Sequence, residues 1–344
     1  MDKHTPGSGR RWVKRPEGSN WGDFGADDQL GSLNHITAGC IIDAVKTVER
    51  GDAFCLSLPL DYPGGSVLAP HRHPPVIRAT KRNGENYFNY SFRKEGGHFC
   101  DVGCDDTVTL STQYSTQWDS LAHIGHEFDL MDDGAPRYCF YNGYQSNEHI
   151  LDPEARGDNF AMPLGIDAFA AKPIQGRGVM IDVERHFGRG YRDLDYADIM
   201  YVLEKDAVQI LPGDILCLHT GFADELLKMG RTPDPKKVHS ICGALDGRDT
   251  ELLAWLTSSR IAAIASDNFA VERVGLAAEG EGNAFVPLHY YCLFLRGIPL
   301  GELWHLTALA AFLRETGRSA FLLTAPPLRL PGAVGSPVTP VATV

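Results

Sequence analysis

The sequence predicts an α/β fold in one large domain, on three observations. Short apolar runs rich in β-prone residues alternate with helical patterns, the mark of strands linked through helices. A chain of 344 residues is long enough to bury a substantial core. Neither an internal repeat nor a Pro/Ser linker interrupts residues 21–340, so one domain is expected over that range.

The strongest strand candidates are GVMIDV (178–183), ILCLHTG (215–221), IAAIASD (261–267) and AFLLTAP (320–326), each a short run of the buried type. Helices are expected at 249–259 and at 307–317, the latter with a Thr cap and a terminal Gly. Another runs from Thr37 as N-cap through Ile41, Ile42, Ala44, Val45 and Val48 to Gly51, just past its end. FCLSLPL (54–60) reads as a strand. Residues 62–97, rich in Pro, Gly, His and Asn, are far too long for an ordinary connection and are expected to be a lid or an oligomer arm. From Val108 a β-type alternation begins, and at Trp118 it changes to helical spacing, which predicts a strand-to-helix turn. Residues 1–20 are polar and Gly/Pro-rich and are expected to form a flexible arm, with the fold starting near Trp21.

Charge and composition exclude several partners. Lys+Arg 32 against Asp+Glu 44 gives a net charge of −12, and the basic residues cluster only at Arg10, Arg11, Lys14 and Arg15. Nucleic acid and anionic membrane are poor partners for such a chain, because phosphate binding needs clustered cations. The first residues lack the apolar segment of a secretory signal. No apolar run reaches the roughly 18 residues that cross a bilayer. Eight cysteines are too sparse for a disulfide framework, so reduced thiols and a cytoplasmic location are expected.

Signatures for phosphate loops, dinucleotide folds, serine-hydrolase elbows and HExxH zinc sites are missing. What stands out is Gln113-Tyr-Ser-Thr-Gln117-Trp-Asp119-Ser-Leu-Ala-His123, followed far downstream by Pro287-Leu-His289 and Gly301-Glu302. On an extended segment Gln113, Gln117 and Asp119 project to one face, and His123 lies four residues further on, so they can share a pocket. Taken singly, each has an ordinary reading: Asp119 as an N-cap, His123 and His289 as core histidines, Glu302 as a helix-start carboxylate. Asp267 follows a strand end, where α/β folds place binding groups, and it can equally be turn chemistry. Trp118 and the aromatic Tyr87, Phe88, Tyr90 and Phe92 hint at a planar, partly apolar small-molecule substrate, with Asp267 a candidate to bind it. His98, Cys100 and Cys104 have ligand chemistry without a standard zinc spacing, and His71 and His73 read as loop residues.

Five motifs in order change that balance: NWGDFGADDQLGSLNHIT, STQWDSLAH, SDNFAVE, PLH with GIPLGELW, and GSPVTPVA. From about residue 20 to 340 the chain resembles the cyclase family of metal-dependent hydrolases, which includes bacterial-type kynurenine formamidase and isatin hydrolase. The resemblance implies a swivelling β/β/α domain with a mixed sheet and flanking helices, and a homo-oligomer, dimer or tetramer. The family pattern HxGTHxDxxxH places its leading histidines on Gln113 and Gln117, its aspartate on Asp119 and its last histidine on His123, while His289 and Glu302 match the distal pair. It implies a metal held by Asp119, His289 and Glu302 with Gln117, and His123 and Glu302 acting in catalysis, leaving Gln113 beside the substrate. Both leading histidines are glutamine here and the Gly of GT is Ser115. Amide oxygen is a harder and weaker donor than imidazole, so a mononuclear, oxygen-rich site is expected, suiting Mn²⁺ better than Zn²⁺. The expected reaction is hydrolysis of an amide, lactam or formamide C–N bond, with His123, at an ordinary pKa of roughly 6.5, moving the proton. A ring-closing or lyase reaction on the same carboxylates, and a metal-free binding protein, are the alternatives.

Overall fold

A nine-stranded mixed sheet runs through the computed structural model, which describes residues 9–157, 160, 162–274 and 283–344. Numbering only the strands of this sheet, they are β1 (Ala53–Cys55), β2 (Gln117–Asp119), β3 (Gln175–Asp182), β4 (Ile215–His219), β5 (Ala263–Ser266), β6 (Leu300–Glu302), β7 (Ala320–Thr324), β8 (Gly335–Pro337) and β9 (Val341–Thr343). Their order across the sheet is β1-β9-β7-β3-β4-β5-β6-β2-β8. The neighbours β3, β4, β5 and β6 are parallel, and the outer strands join antiparallel. All four expected apolar runs become strands of this sheet, and β4 and β5 are buried at every residue because both faces are covered.

The helix at Thr250–Ser258 starts as expected: the Asp249 carboxylate accepts from the backbone N–H of Glu251 and Leu252. The helix at Thr307–Thr316 closes on Gly317 in the left-handed region, φ 65°. Its cap is Leu306, and Thr307 instead places its hydroxyl 3.3 Å from His219 Nε2.

Several expectations are corrected. Thr37 does cap a helix, accepting from Cys40 N, but the helix is Ala38–Val45 and stops short of Gly51. Thr47 ends it by donating its hydroxyl to the Ala44 carbonyl at 2.7 Å. Ile42 and Val45 face outward and only Ala44 is buried. No helix follows Trp118: β2 is held between β6 and β8, and the chain then turns, with His123 N donating to Ser120 O at 3.1 Å. Ladder bonds on both sides of β2 outweigh the local helical pattern. Residues 9–20 are not a free arm either. Trp12 is buried edge-on against Trp21 at 5.7 Å, and Val13 and Lys14 both donate to the Leu130 carbonyl. Residues 1–8, the rest of that expected arm, lie outside the described residues.

The long excursion is built of small antiparallel ribbons and reaches Thr109 rather than Gly97. Val76–Ala79 pairs with Asp106–Thr109, with Ile77 opposite Val108. Both of these apolar side chains point into solvent, 69% and 50% exposed. Among the described residues no helix is long and apolar enough to cross a membrane.

Candidate metal centre

The antiparallel register of β2 and β6 builds the site. It sets Gln117 directly opposite Glu302 and Trp118 opposite Gly301. Side chains alternate across a strand, so Gln117, Asp119 and Glu302 share one face while Trp118 points to the other. Trp118 is therefore a core residue: it is fully buried, donates Nε1–H to Ala325 O at 2.8 Å and packs edge-on against Trp304. This corrects its expected place beside the substrate. Gly301 has no Cβ for a reason, since one would lie 2.8 Å from Trp304 Nε1 and 3.1 Å from the Trp118 ring.

On the polar face, Gln117 Nε2 donates to Asp119 Oδ1 and to Glu302 Oε2, both at 3.2 Å, and Gln113 Nε2 donates to the same Asp119 oxygen. Gly335 on β8 leaves the space that the Gln113 side chain fills, since a Cβ there would lie 2.6 Å from Gln113 Cδ. His289, at the junction of a one-turn helix (Pro287–His289) and a π-helix (Tyr290–Arg296), brings Nε2 to 3.4 Å from Glu302 Oε1 and 3.9 Å from Asp119 Oδ2. Gln117, Asp119, His289 and Glu302 are all buried.

Glu272 is the residue that sequence reasoning missed. Its carboxylate accepts from His289 Nδ1 at 2.7 Å and from the backbone N–H of Leu288 and His289, each at 2.9 Å. Only its place in SDNFAVE hinted at a role. The two residues before it, Ala270 and Val271, hold φ of 71° and 57°, a region costly for a β-branched side chain. The strain delivers the carboxylate to the histidine.

The electrostatics are those of an over-acidic pocket. Burial and the neighbouring Glu302 push the Asp119 pKa up to about 7. Burial works against a charged His289, but its hydrogen bonds to Glu272 and Glu302 prevail and raise it to about 10. Burial and the nearby His289 pull His123 down to about 3. The ordinary value near neutrality expected for His123 is thus not found, because its surroundings favour the neutral ring.

Two buried acceptors, Asp119 Oδ2 and Gln117 Oε1, have no hydrogen-bond partner. Orphaned acceptors among carboxylates are costly unless a cation answers them. Ligand atoms of Asp119, His123 and His289 lie within 4.8 Å of one another, and His289 has its other nitrogen on a carboxylate, as metal-bound histidines usually do. The donor set fits a divalent ion. A second group among the described residues, Asp182, Glu184 and His219, has comparable spacing, but the Arg314 guanidinium already binds both of its carboxylates.

Asp267 is brought elsewhere than expected. Its carboxylate accepts from Thr220 N (2.8 Å), Thr220 Oγ1 (2.7 Å) and Gly221 N (2.7 Å), so it ties the end of β5 to the turn after β4. His98, Cys100 and Cys104 sit exposed on the excursion and form no metal group among the described residues.

The family model described as putative cyclase matches residues 37–273. The chain belongs to the cyclase family. A crystal structure described as a novel cyclase is 30% identical, covering 95% of this cyclase and 97% of that chain with a TM-score of 0.74. Isatin hydrolase A from Labrenzia aggregata, bound to benzyl benzoate, shares 15% identity over 90% of this chain and 98% of its own, with a TM-score of 0.53. The enzyme of that name from Ralstonia solanacearum shares 12% identity over 89% and 97%, with a TM-score of 0.52. These last two show the same fold. No curated protein matches the sequence.

Proposed function

We propose that this cyclase is a metal-dependent hydrolase that opens the C–N bond of a small amide, lactam or formamide. One observation carries the reading: Asp119 Oδ2 and Gln117 Oε1 are buried without partners beside the Nε2 of a histidine anchored by Glu272. Asp119, His289 and Glu302 would hold the ion, with Gln117 offering its amide oxygen and His123 a neutral nitrogen. A divalent cation there supplies Lewis-acid polarisation of a carbonyl and a bound water acidified towards a pKa of roughly 7. The oxygen-rich donor set favours Mn²⁺ over Zn²⁺. The chain's own part is positional. Glu272 fixes the tautomer of His289 with Nδ1 protonated, Gln113 and Gln117 orient the Asp119 and Glu302 carboxylates, and Glu302, 3.4 Å from His289, is the carboxylate placed to exchange a proton with the reacting group.

Elemental analysis after exhaustive dialysis, with and without Mn²⁺ or Zn²⁺ reconstitution, tests the metal. A mass-resolved screen of cyclic amides and formamides tests the reaction, since hydrolysis adds one water and ring closure does not. Stoichiometric metal with a hydrated product supports the proposal. A protein that neither holds nor regains metal would make it a binding protein on this fold.

We also propose a reducing, cytoplasmic setting, in which the eight cysteines would stay as thiols. We further propose that the excursion contacts a second copy of the chain. Residues 76–109 carry five Lys/Arg and five Asp/Glu while the whole chain is at −12, so this arm is not repelled by an acidic neighbour.

A further inference from the structure

A second constellation lies at the carboxyl ends of β3 and β4, where open α/β sheets gather functional side chains. The parallel register sets Asp182 directly opposite His219, so the two side chains share a face. His219 Nδ1 lies 2.8 Å from Asp182 Oδ1, and its Nε2 lies 3.3 Å from the hydroxyl of Thr307, the first residue of the helix Thr307–Thr316. Asp182 and His219 are buried, whereas Thr307 is partly exposed and Ala308 beside it is open to solvent. With the Nδ1 proton directed at Asp182, the Nε2 lone pair accepts from the threonine hydroxyl. A carboxylate that orients a histidine, whose other nitrogen meets a hydroxyl, is the arrangement of an activated nucleophile.

The surroundings suit that role. Arg314 holds both Asp182 oxygens and one of Glu184, which fills the place a cation would take. Its charge stabilises the Asp182 carboxylate, so Asp182 orients the ring without taking its proton. Burial works against a charged His219, but the Asp182 hydrogen bond and the Asp267 charge prevail and raise it, which makes the ring a strong proton acceptor. The helix has no side-chain cap, since Leu306 stands at its N-cap. The N–H groups of its first turn lack intrahelical acceptors and lie beside the threonine, where an oxyanion would form. β6, which carries Glu302, is two places from β4 in the sheet, about 10 Å away at about 4.8 Å per strand, so this constellation is separate from the metal centre.

We infer that Thr307 is a nucleophile for acyl transfer, served by His219 as base and Asp182 as its orienting partner, and that it takes a short acyl group from an ester. Thr307 Oγ1 bonds to the acyl carbon and its proton passes to His219 Nε2. The ester C–O bond breaks, and the leaving oxygen departs with that proton. Water then attacks the acyl-threonine carbonyl and gives a proton to His219, which returns it to Thr307 Oγ1 as the free acid leaves. The net reaction is ester plus water to acid plus alcohol. None of these steps depends on the hydrolase reading of the metal centre.

The probe is p-nitrophenyl acetate, given to the full-length protein with and without a chelator at mildly alkaline pH, where more of the raised histidine is neutral. Released nitrophenolate is followed by absorbance, and the acetyl group is located by peptide mass spectrometry. One acetyl group should appear on Thr307 at a rate the chelator does not change. Ester turnover should fall at least about 100-fold in Thr307→Val and in His219→Gln, and Thr307→Ser should keep it. Thr307→Val keeps the shape of a partly exposed side chain, so its loss of activity cannot be put down to an unfolded protein. Acetyl groups found on lysines alone, wild-type turnover in Thr307→Val, labelling of Thr307 undiminished in His219→Gln, or turnover that vanishes with the chelator would each overturn the inference.

Discussion

At Glu272 one carboxylate holds the ring and two backbone N–H groups of the segment that carries His289. Replacing it by glutamine keeps the shape but loses the charge that fixes the histidine. Glu272→Gln should lower metal affinity by about 10–100-fold with little change in fold, measured by competition with a chelating dye. Asp119→Ala and Glu302→Ala should lose the metal outright. His123 is the residue whose role the structure moves: a ring held down to about 3 is a poor base at neutral pH, and its nitrogen lies among the candidate ligands. His123→Ala should therefore lose at least about tenfold in metal affinity along with turnover. Full metal content with turnover down about 100-fold would return it to proton transfer.

Two glycines at the level of strands do what no side chain can. Gly335 on β8 gives Gln113 its room beside Asp119, and Gly301 on β6 lets the two tryptophans meet behind the site. Gly335→Ala should cost about 1–3 kcal/mol by overpacking. Because the three atoms nearest the added Cβ all belong to the Gln113 side chain, Gln113→Ala in the same chain should restore most of it, a coupling that a double-mutant cycle of urea midpoints reads directly. At the ends of β3 and β4, Asp182 and His219 are joined at 2.8 Å and Arg314 binds the same carboxylate. Burial would raise the Asp182 pKa, but the Arg314 and His219 hydrogen bonds hold it well below the usual carboxylate range. His219 is raised despite its burial, chiefly by Asp182. The Asp182 contribution is present above about pH 4 and lost as pH falls below it. The His219 contribution is full below about pH 6.5 and lost as pH climbs through its raised value. The stability difference between wild type and Asp182→Asn should thus be largest between those limits and shrink on either side, as followed by denaturant midpoints across pH.

For the molecule as a whole, the arm is the exposed question. A two-stranded ribbon with Ile77 and Val108 paired in solvent is marginal by itself, and the proposed second copy would cover that apolar pair. Light scattering should give a mass at least twice 37.7 kDa at micromolar concentration, and Ile77→Lys with Val108→Glu should dissociate it. A monomeric wild type removes the arm from that role. Metal should also act globally: an ion bound only by the folded state raises the melting temperature, and chelation should lower it.

Four strands of the sheet were legible because buried runs of apolar residues need only local chemistry to be read, and β3, β4, β5 and β7 appear where those runs lie. The convergence of Asp119, His289 and Glu302 was legible through motif order, since polar groups of metal-binding type recur there in apolar surroundings. Other features needed the third dimension. Trp118 is core because the ladder from β6 sets its face, and a one-residue change in register would have reversed it. Asp267 is an anchor because the turn after β4 lies beside it. Glu272 joins the site through contact with a residue 17 positions away, across a strained turn that no periodicity signals. Pattern along the chain determines which residues are buried, while packing across it decides which of the buried ones meet.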